Sequence, residues 1–294
     1  MRTTRVPDHD LDHDHDRARL LEGVPVTERR IDVADIPTAV LEGGDGPPVV
    51  LLHGPGESAV NWRWTIPDLV TSHRVIAPDL PAHGSSGTGE GRLDADRVVA
   101  WLDAVIERTC PEPPVVVGHV LGGAIAARHA ARHGQRLRGL VLVDSLGLAR
   151  FRPSARFALG FLRFTIRPNE RSFERFMDQC AHDRERLQQR MGVDWTAFVS
   201  YNLGLARSPQ TKAAGQLFRR AGTPRIPSRE LDRIDVPTTL IWGRHDRALR
   251  VRIAGRASAE HLWPLHVIED AADDPARDQP EAFLRALRSA LPDA

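Results

Sequence analysis

The chain has 294 residues, a formal net charge of +1, 41% hydrophobic residues and 27% charged residues, values that give no electrostatic case for nucleic acid or an anionic membrane surface. Two cysteines, Cys110 and Cys180, exclude a disulfide framework, and no apolar run reaches the ~20 residues of a membrane helix. With no signal-type apolar stretch near the N-terminus, a reduced, cytoplasmic setting is expected. The length suits one large α/β domain carrying an extra segment rather than two unrelated domains.

Residues 1–22 read as a polar arm around DHDLDHDHD (Asp8 to Asp16). Alternating His and Asp suggest a metal-binding tract, but nothing there can bury a core, so a disordered arm is expected. Val26 to Val33 and Pro37 to Leu41 alternate as a strand pair. Pro48 to Leu52 (PVVLL) is a buried strand that runs into His53-Gly54-Pro55-Gly56. A short helix with Trp62 and Trp64 is predicted over Asn61 to Leu69, and a strand over His73 to Ala77. Asp94 caps a helix whose apolar face is Val98, Val99, Trp101, Leu102, Val105 and Ile106.

Pro113 to Ala124 (PPVVVGHVLGGA) then reads as a buried valine strand, a tight glycine turn and a helix running to His133. Arg138 to Asp144 is another buried strand. The alternation stops over 145–234, an arginine-rich helical stretch with phenylalanines, and resumes with a strand over Val236 to Trp242. A helix over Ala248 to His261, a strand over Leu265 to Ile268 and an amphipathic helix over Pro280 to Leu291 complete the chain. Alternating strands and helices predict an α/β fold with a mostly parallel sheet covered on both faces. The core is assigned to 23–144 and 235–294, and 145–234 forms a helical cap over the C-terminal strand ends, where such folds bind ligands.

Four motifs in order, LLHGPG, APDLPAHGSS, VGHVLGG and the late pair IWGRHDR with HVIEDAADDPARDQPEAF, resemble those of the α/β-hydrolase family. The family's elbow is typically G-H-S-x-G-G, with a catalytic acid and then a histidine later in the chain. The resemblance implies that Val120 occupies the nucleophile position, Asp246 the acid position and Asp273 the histidine position. Valine has no proton to lose and a carboxylate is not an imidazole base. The amide of Leu121 can serve as one oxyanion donor. Pro55 has no N–H at the usual place of the second, so Gly56 is the substitute.

Family elbows hold the nucleophile at positive φ, which a β-branched residue resists, so relaxation of the turn at Val120 is expected. Candidate catalytic groups are Asp246 and Asp273, as a proton-sharing pair or each matched to Arg244, Arg247 or Arg277, and His119 as a displaced base or packing residue. Candidate binding residues are His53, Gly54, Gly56, Val120, Leu121 and Trp62. Ser145 is the nearest replacement hydroxyl. With no dinucleotide or P-loop motif, no cofactor and no metal site are expected. The expected partner is a small, largely apolar molecule, held by a protein with a degenerate triad. Acid/base catalysis of non-standard mechanism and a protein-interaction module are the alternatives, and the oligomeric state is left open.

Overall fold

The structure, a computed structural model, describes residues 8–291, with side chains from Asp14 onward. Its centre is an eight-stranded sheet in the order β1-β2-β4-β3-β5-β6-β7-β8, formed by β1 (Thr27–Val33), β2 (Ile36–Gly43), β3 (Pro48–Leu52), β4 (Arg74–Pro78), β5 (Val115–His119), β6 (Gly139–Val143), β7 (Thr238–Gly243) and β8 (Leu265–Ile268). β1 and β2 form an antiparallel hairpin through Ala34 and Asp35, both at positive φ, the backbone that two-residue hairpin loops require. β2 also meets β4 antiparallel, and from β4 to β8 the strands are parallel.

The valine run explains the position of β5 at the centre. Val115 and Val117 pack with Val49, Leu51, Val141 and Ile241 against Trp62, Ile66 and Phe283 on one face. Val116 points to the other, with Val50, Leu140, Leu142, Trp101 and Ile125. A strand buried on both faces has no polar alternation to show, only β-branched bulk.

The helices are α1 (Asp8–Leu20), α2 (Ile66–Leu69), α3 (Ala95–Thr109), α4 (Leu121–His133), α5 (Ala155–Ile166), α6 (Glu170–Cys180), α7 (Arg184–Met191), α8 (Asp194–Arg207), α9 (Thr211–Leu217), α10 (Ser228–Leu231), α11 (Arg252–His261), α12 (Pro275–Asp278) and α13 (Pro280–Ala290). Asp94 caps α3 as its sequence suggests, accepting from the Arg97 N–H. The predicted helix over Asn61 to Leu69 is a 3-10 turn, Ala59–Trp64, followed by α2. The helix expected from Ala248 begins only at Arg252, because the amides of Ala248 and Leu249 are taken by the Asp246 side chain. Helices α5 to α10 lie between β6 and β7 in the chain.

The expectation of a disordered arm over 1–22 is corrected from Asp8 on. α1 has acids through its first turns and Arg17 and Arg19 in its last, which complements the helix dipole. Its end is tied down by tertiary contacts: Leu20 is buried, and buried Arg17 donates to Glu28 (2.8 Å) and to the Tyr201 hydroxyl (2.9 Å) and sits 3.2 Å from Asp79. Residues 1–7 lie outside the described residues, as do the side chains of the His/Asp tract up to His13.

Candidate functional site

The turn between β5 and α4 keeps the strained elbow. Val120 sits at φ 45° and ψ −99°, so the expected relaxation does not occur. The fold pins the residue on both sides: its N–H donates to Val143 O and its O accepts from the Ala124 and Leu146 amides. A side chain on Gly118 would come within 2.6 Å of the α4 backbone at Gly123, so glycine is what lets α4 turn back against β5. Three anchored hydrogen bonds and this close packing outweigh the ~1–3 kcal/mol that such a conformation costs.

Above Val120 lies a cavity of about 230 Å³. Its walls hold Gly56, His119, Val120, Asp246 and Asp273 of the sequence-derived candidates. His53, Gly54, Leu121 and Trp62 are not in the wall. Trp62 is buried in the core beside Phe283, because the 3-10 turn Ala59–Trp64 directs it to that face of the sheet. His53 is fully buried, and the Leu80 N–H donates to its Nε2 (2.9 Å). Its proton is therefore on Nδ1, which donates to Gly54 O (2.8 Å). Burial lowers the pKa of His53, so it acts as a neutral strut for the loop.

Sequence reasoning missed Glu57, and it changes the chemistry of the loop. Its Oε2 accepts from the Gly54 N–H (2.7 Å) and lies 3.4 Å from His119 Nδ1. His119 Nε2 donates to the Asp273 backbone oxygen (2.7 Å). Both ring nitrogens therefore face acceptors, as an imidazolium requires. Burial opposes that charge, but Glu57 and Asp274 outweigh it and push the His119 pKa up to about 10. Burial would raise Glu57, yet the His119 charge holds it down at about 2. A histidine kept protonated cannot accept a proton, so His119 is unfit as a general base at neutral pH. With Pro55 lacking an N–H and the Gly54 N–H committed to a carboxylate, Gly56, on the cavity wall, is left as the loop's candidate donor. The only sequence signal for Glu57 is an acid three residues past Gly54, a spacing that also occurs by chance.

Asp246 is buried at the end of β7, with Oδ1 accepting from Ala248 (2.6 Å) and Leu249 (2.7 Å). Its Oδ2 has no N–H or hydroxyl partner; the group beside it is the carboxyl of Asp144, within hydrogen-bonding reach. Asp144 is fully buried at the end of β6, at φ 40°, accepting from the Gly243 N–H (3.1 Å). Burial first, then Asp246, raises its pKa well above the usual carboxylate range. Burial beside a second carboxyl thus favours the protonated form of Asp144. Asp246 therefore has two carboxyl neighbours, Asp144 beside it and Asp273 on the same cavity wall.

Asp273 is instead matched to Arg277, 3.2 Å away. That guanidinium also faces Asp274 (3.4 Å) and Asp278 (4.0 Å). Burial raises Asp273 despite Arg277, with Asp246 adding to the effect. Ser145 is buried and donates to Leu146 O (2.8 Å), away from the cavity wall. The hydroxyls that do reach the wall, Thr165, Ser208 and Thr211, are bonded to backbone in or beside their own helices. The Cys180 thiol is on the wall too, but burial and then Asp273 push its pKa well up, which leaves it a poor nucleophile.

Eight of the nine phenylalanines in the chain line this cavity: Phe151, Phe157, Phe161, Phe164, Phe173, Phe176, Phe198 and Phe218. Phe164 stacks on Phe176 (5.6 Å between centroids), and Phe157 and Phe161 pack against Phe176 as well.

The family model described as alpha/beta hydrolase fold matches residues 47–274. The 2-hydroxymuconate semialdehyde hydrolase of Pseudomonas sp. (strain CF600) is 37% identical over 132 residues, 42% of this chain and 46% of that protein, so the chain spans less than half the length of this relative in the match. The pimeloyl-[acyl-carrier protein] methyl ester esterase of Chromobacterium violaceum is 31% identical over 262 residues, 84% of this chain and 95% of the esterase. Among solved structures, a variant of the meta-cleavage product hydrolase of Pseudomonas fluorescens IP01, complexed with acetates, superposes with a TM-score of 0.76 at 25% identity, covering 89% of this chain and 96% of that one. Sheet order, elbow and matched sequence agree: the chain belongs to the α/β-hydrolase family.

Proposed function

We propose that this protein holds a small, neutral, largely aromatic molecule in the cavity above Val120 and does not hydrolyse it by a serine-type mechanism. One observation carries the reading: eight phenylalanines converge on a floor that has no hydroxyl beside a base. An apolar cavity of about 150 Å³ accommodates benzene, so about 230 Å³ suits a guest of roughly nine to eleven non-hydrogen atoms. The relatives named above are hydrolases of an acid semialdehyde and of a methyl ester. In this chain the charges at the floor are already matched, Glu57 by His119 and Asp273 by Arg277, so an added charge would be buried without a partner, which selects a neutral guest. Phe161, 40% exposed and also on the wall, marks the side from which the guest enters.

A second reading is acid/base catalysis by Asp246, whose buried carboxyl beside that of Asp144 is an arrangement such chemistry uses. Native mass spectrometry of fresh protein, a fluorescence titration with 1-naphthol and a p-nitrophenyl butyrate assay separate the two. Binding of 1-naphthol at micromolar concentration with no turnover above the blank is expected. Ester turnover that survives repurification and persists in Asp246→Asn overturns the proposal, and turnover abolished by that substitution favours the second reading.

A further inference from the structure

Three loops meet beside the cavity without taking part in it. His182 follows α6, His245 follows β7 and Asp270 follows β8, and one donor atom from each lies within 4.8 Å of the other two. The imidazole rings are tilted face to face with centroids 4.6 Å apart. Two imidazoles this close repel if both carry a proton, and neither makes a hydrogen bond that would explain the approach. His182 Nε2 is 3.7 Å from Asp270 Oδ1, beyond hydrogen-bond distance, and its Nδ1 is buried with no partner. A half-buried imidazole with one ring nitrogen buried and unsatisfied is costly unless something binds there.

The backbone at each position is held. The His182 N–H donates to Asp278 (2.8 Å), the His245 N–H to Ala271 O (2.8 Å), and Gln279 donates to Asp270 O (3.2 Å). Arg247, two residues past His245, donates to the carbonyls of Asp178, Gln179 and Ala181 at the end of α6, which fixes the two histidine loops against each other. Such support is what keeps metal ligands in place.

The geometry points to a divalent transition-metal site formed by His182, His245 and Asp270, clamping the inserted helices to the sheet. Two imidazoles and one carboxylate suit Zn²⁺ or a neighbouring ion and not Ca²⁺ or Mg²⁺, which prefer all-oxygen shells. Bond lengths of about 2.0–2.2 Å place tetrahedral donors roughly 3.3–3.5 Å apart. Rotation of His245 and Asp270, both exposed, closes the remaining ångström, and a water completes the set.

Tag-free full-length protein, stripped with EDTA, is titrated with Zn²⁺ by calorimetry and followed by thermal unfolding, and its Co²⁺ form is read for the visible bands of a tetrahedral site. One Zn²⁺ per chain is expected, with the unfolding midpoint raised by about 5 °C at a hundredfold excess over Kd. His245→Ala and Asp270→Asn should each weaken binding by about tenfold or more. Asn tolerates the positive φ of Asp270, so that variant is not expected to disturb the fold. Alanine at His9, His13 and His15 should leave the site intact. Absence of saturable binding, or binding that survives both loop substitutions and vanishes only in the N-terminal variant, overturns the inference.

Discussion

Val120, Glu57 and His119 are the single residues that set the backbone and the charge at the floor of the cavity. The strained elbow persists with a side chain that cannot react, because the strand, the helix and three hydrogen bonds leave Val120 no other backbone path. Beside it, Glu57 and His119 form a buried charge pair whose effect on stability depends on pH. The folded pKa of His119, about 10, lies above its ordinary value, so its contribution is complete below pH ~6.5 and is lost as pH rises through 10. Glu57, at about 2, contributes above pH ~4.5 and loses that contribution only as pH falls through 2. Urea unfolding should therefore show stability falling by on the order of 2–4 kcal/mol between pH 7 and 10.5. In Glu57→Gln, where His119 has lost its counter-charge, that alkaline decline should largely disappear. An unchanged alkaline limb in the variant would show that His119 is not held protonated.

At the scale of elements, α1 is joined to the molecule by one buried guanidinium. Arg17 reaches Glu28 of β1, Tyr201 of α8 and Asp79 in the loop after β4. Tyr201 passes the connection on by donating to Ser58 (2.8 Å), and Asp79 also accepts from the Ala59 and Ser85 amides. The N-terminal helix, an inserted helix and two core loops thus share one polar network. Arg17→Ala removes the cation and leaves Asp79 buried, a change that costs about 3–5 kcal/mol in comparable networks. Thermal unfolding and limited proteolysis should show the loss, with cleavage appearing first between α1 and β1. Equal protease resistance in the variant would mean that α1 is held without Arg17, by its apolar contacts and the Arg19 contacts to Val193 O and Asp194.

At the scale of the whole molecule, the sheet supplies the acidic floor of the cavity and the inserted helices supply its aromatic walls. Ligand affinity and helix packing are therefore coupled, since a guest fills space that both layers enclose. Ala214→Trp, on the wall in α9, should abolish 1-naphthol binding while shifting the unfolding midpoint of the empty protein by no more than about 3 °C. Binding retained in this variant would place the guest elsewhere.

The sequence by itself determined the strand–helix order and the family, because β-branched runs, glycine turns and four spaced motifs are local signals that survive in one dimension. The resemblance in its motifs also implied that Val120 and Asp273 stand where the family carries serine and histidine. Only the tertiary structure decided which charges meet. Asp144 and Asp246 follow neighbouring strands of a parallel sheet but are 102 residues apart in number, and Glu57 reaches His119 across the ends of β3 and β5. Arg17 finds its partners at separations of 11 to 184 residues, so α1 read as disorder when its own composition was the only guide. Proton sharing, ion pairing and burial depend on distance in space, and a parallel sheet with long crossovers brings together groups that sequence spacing cannot relate.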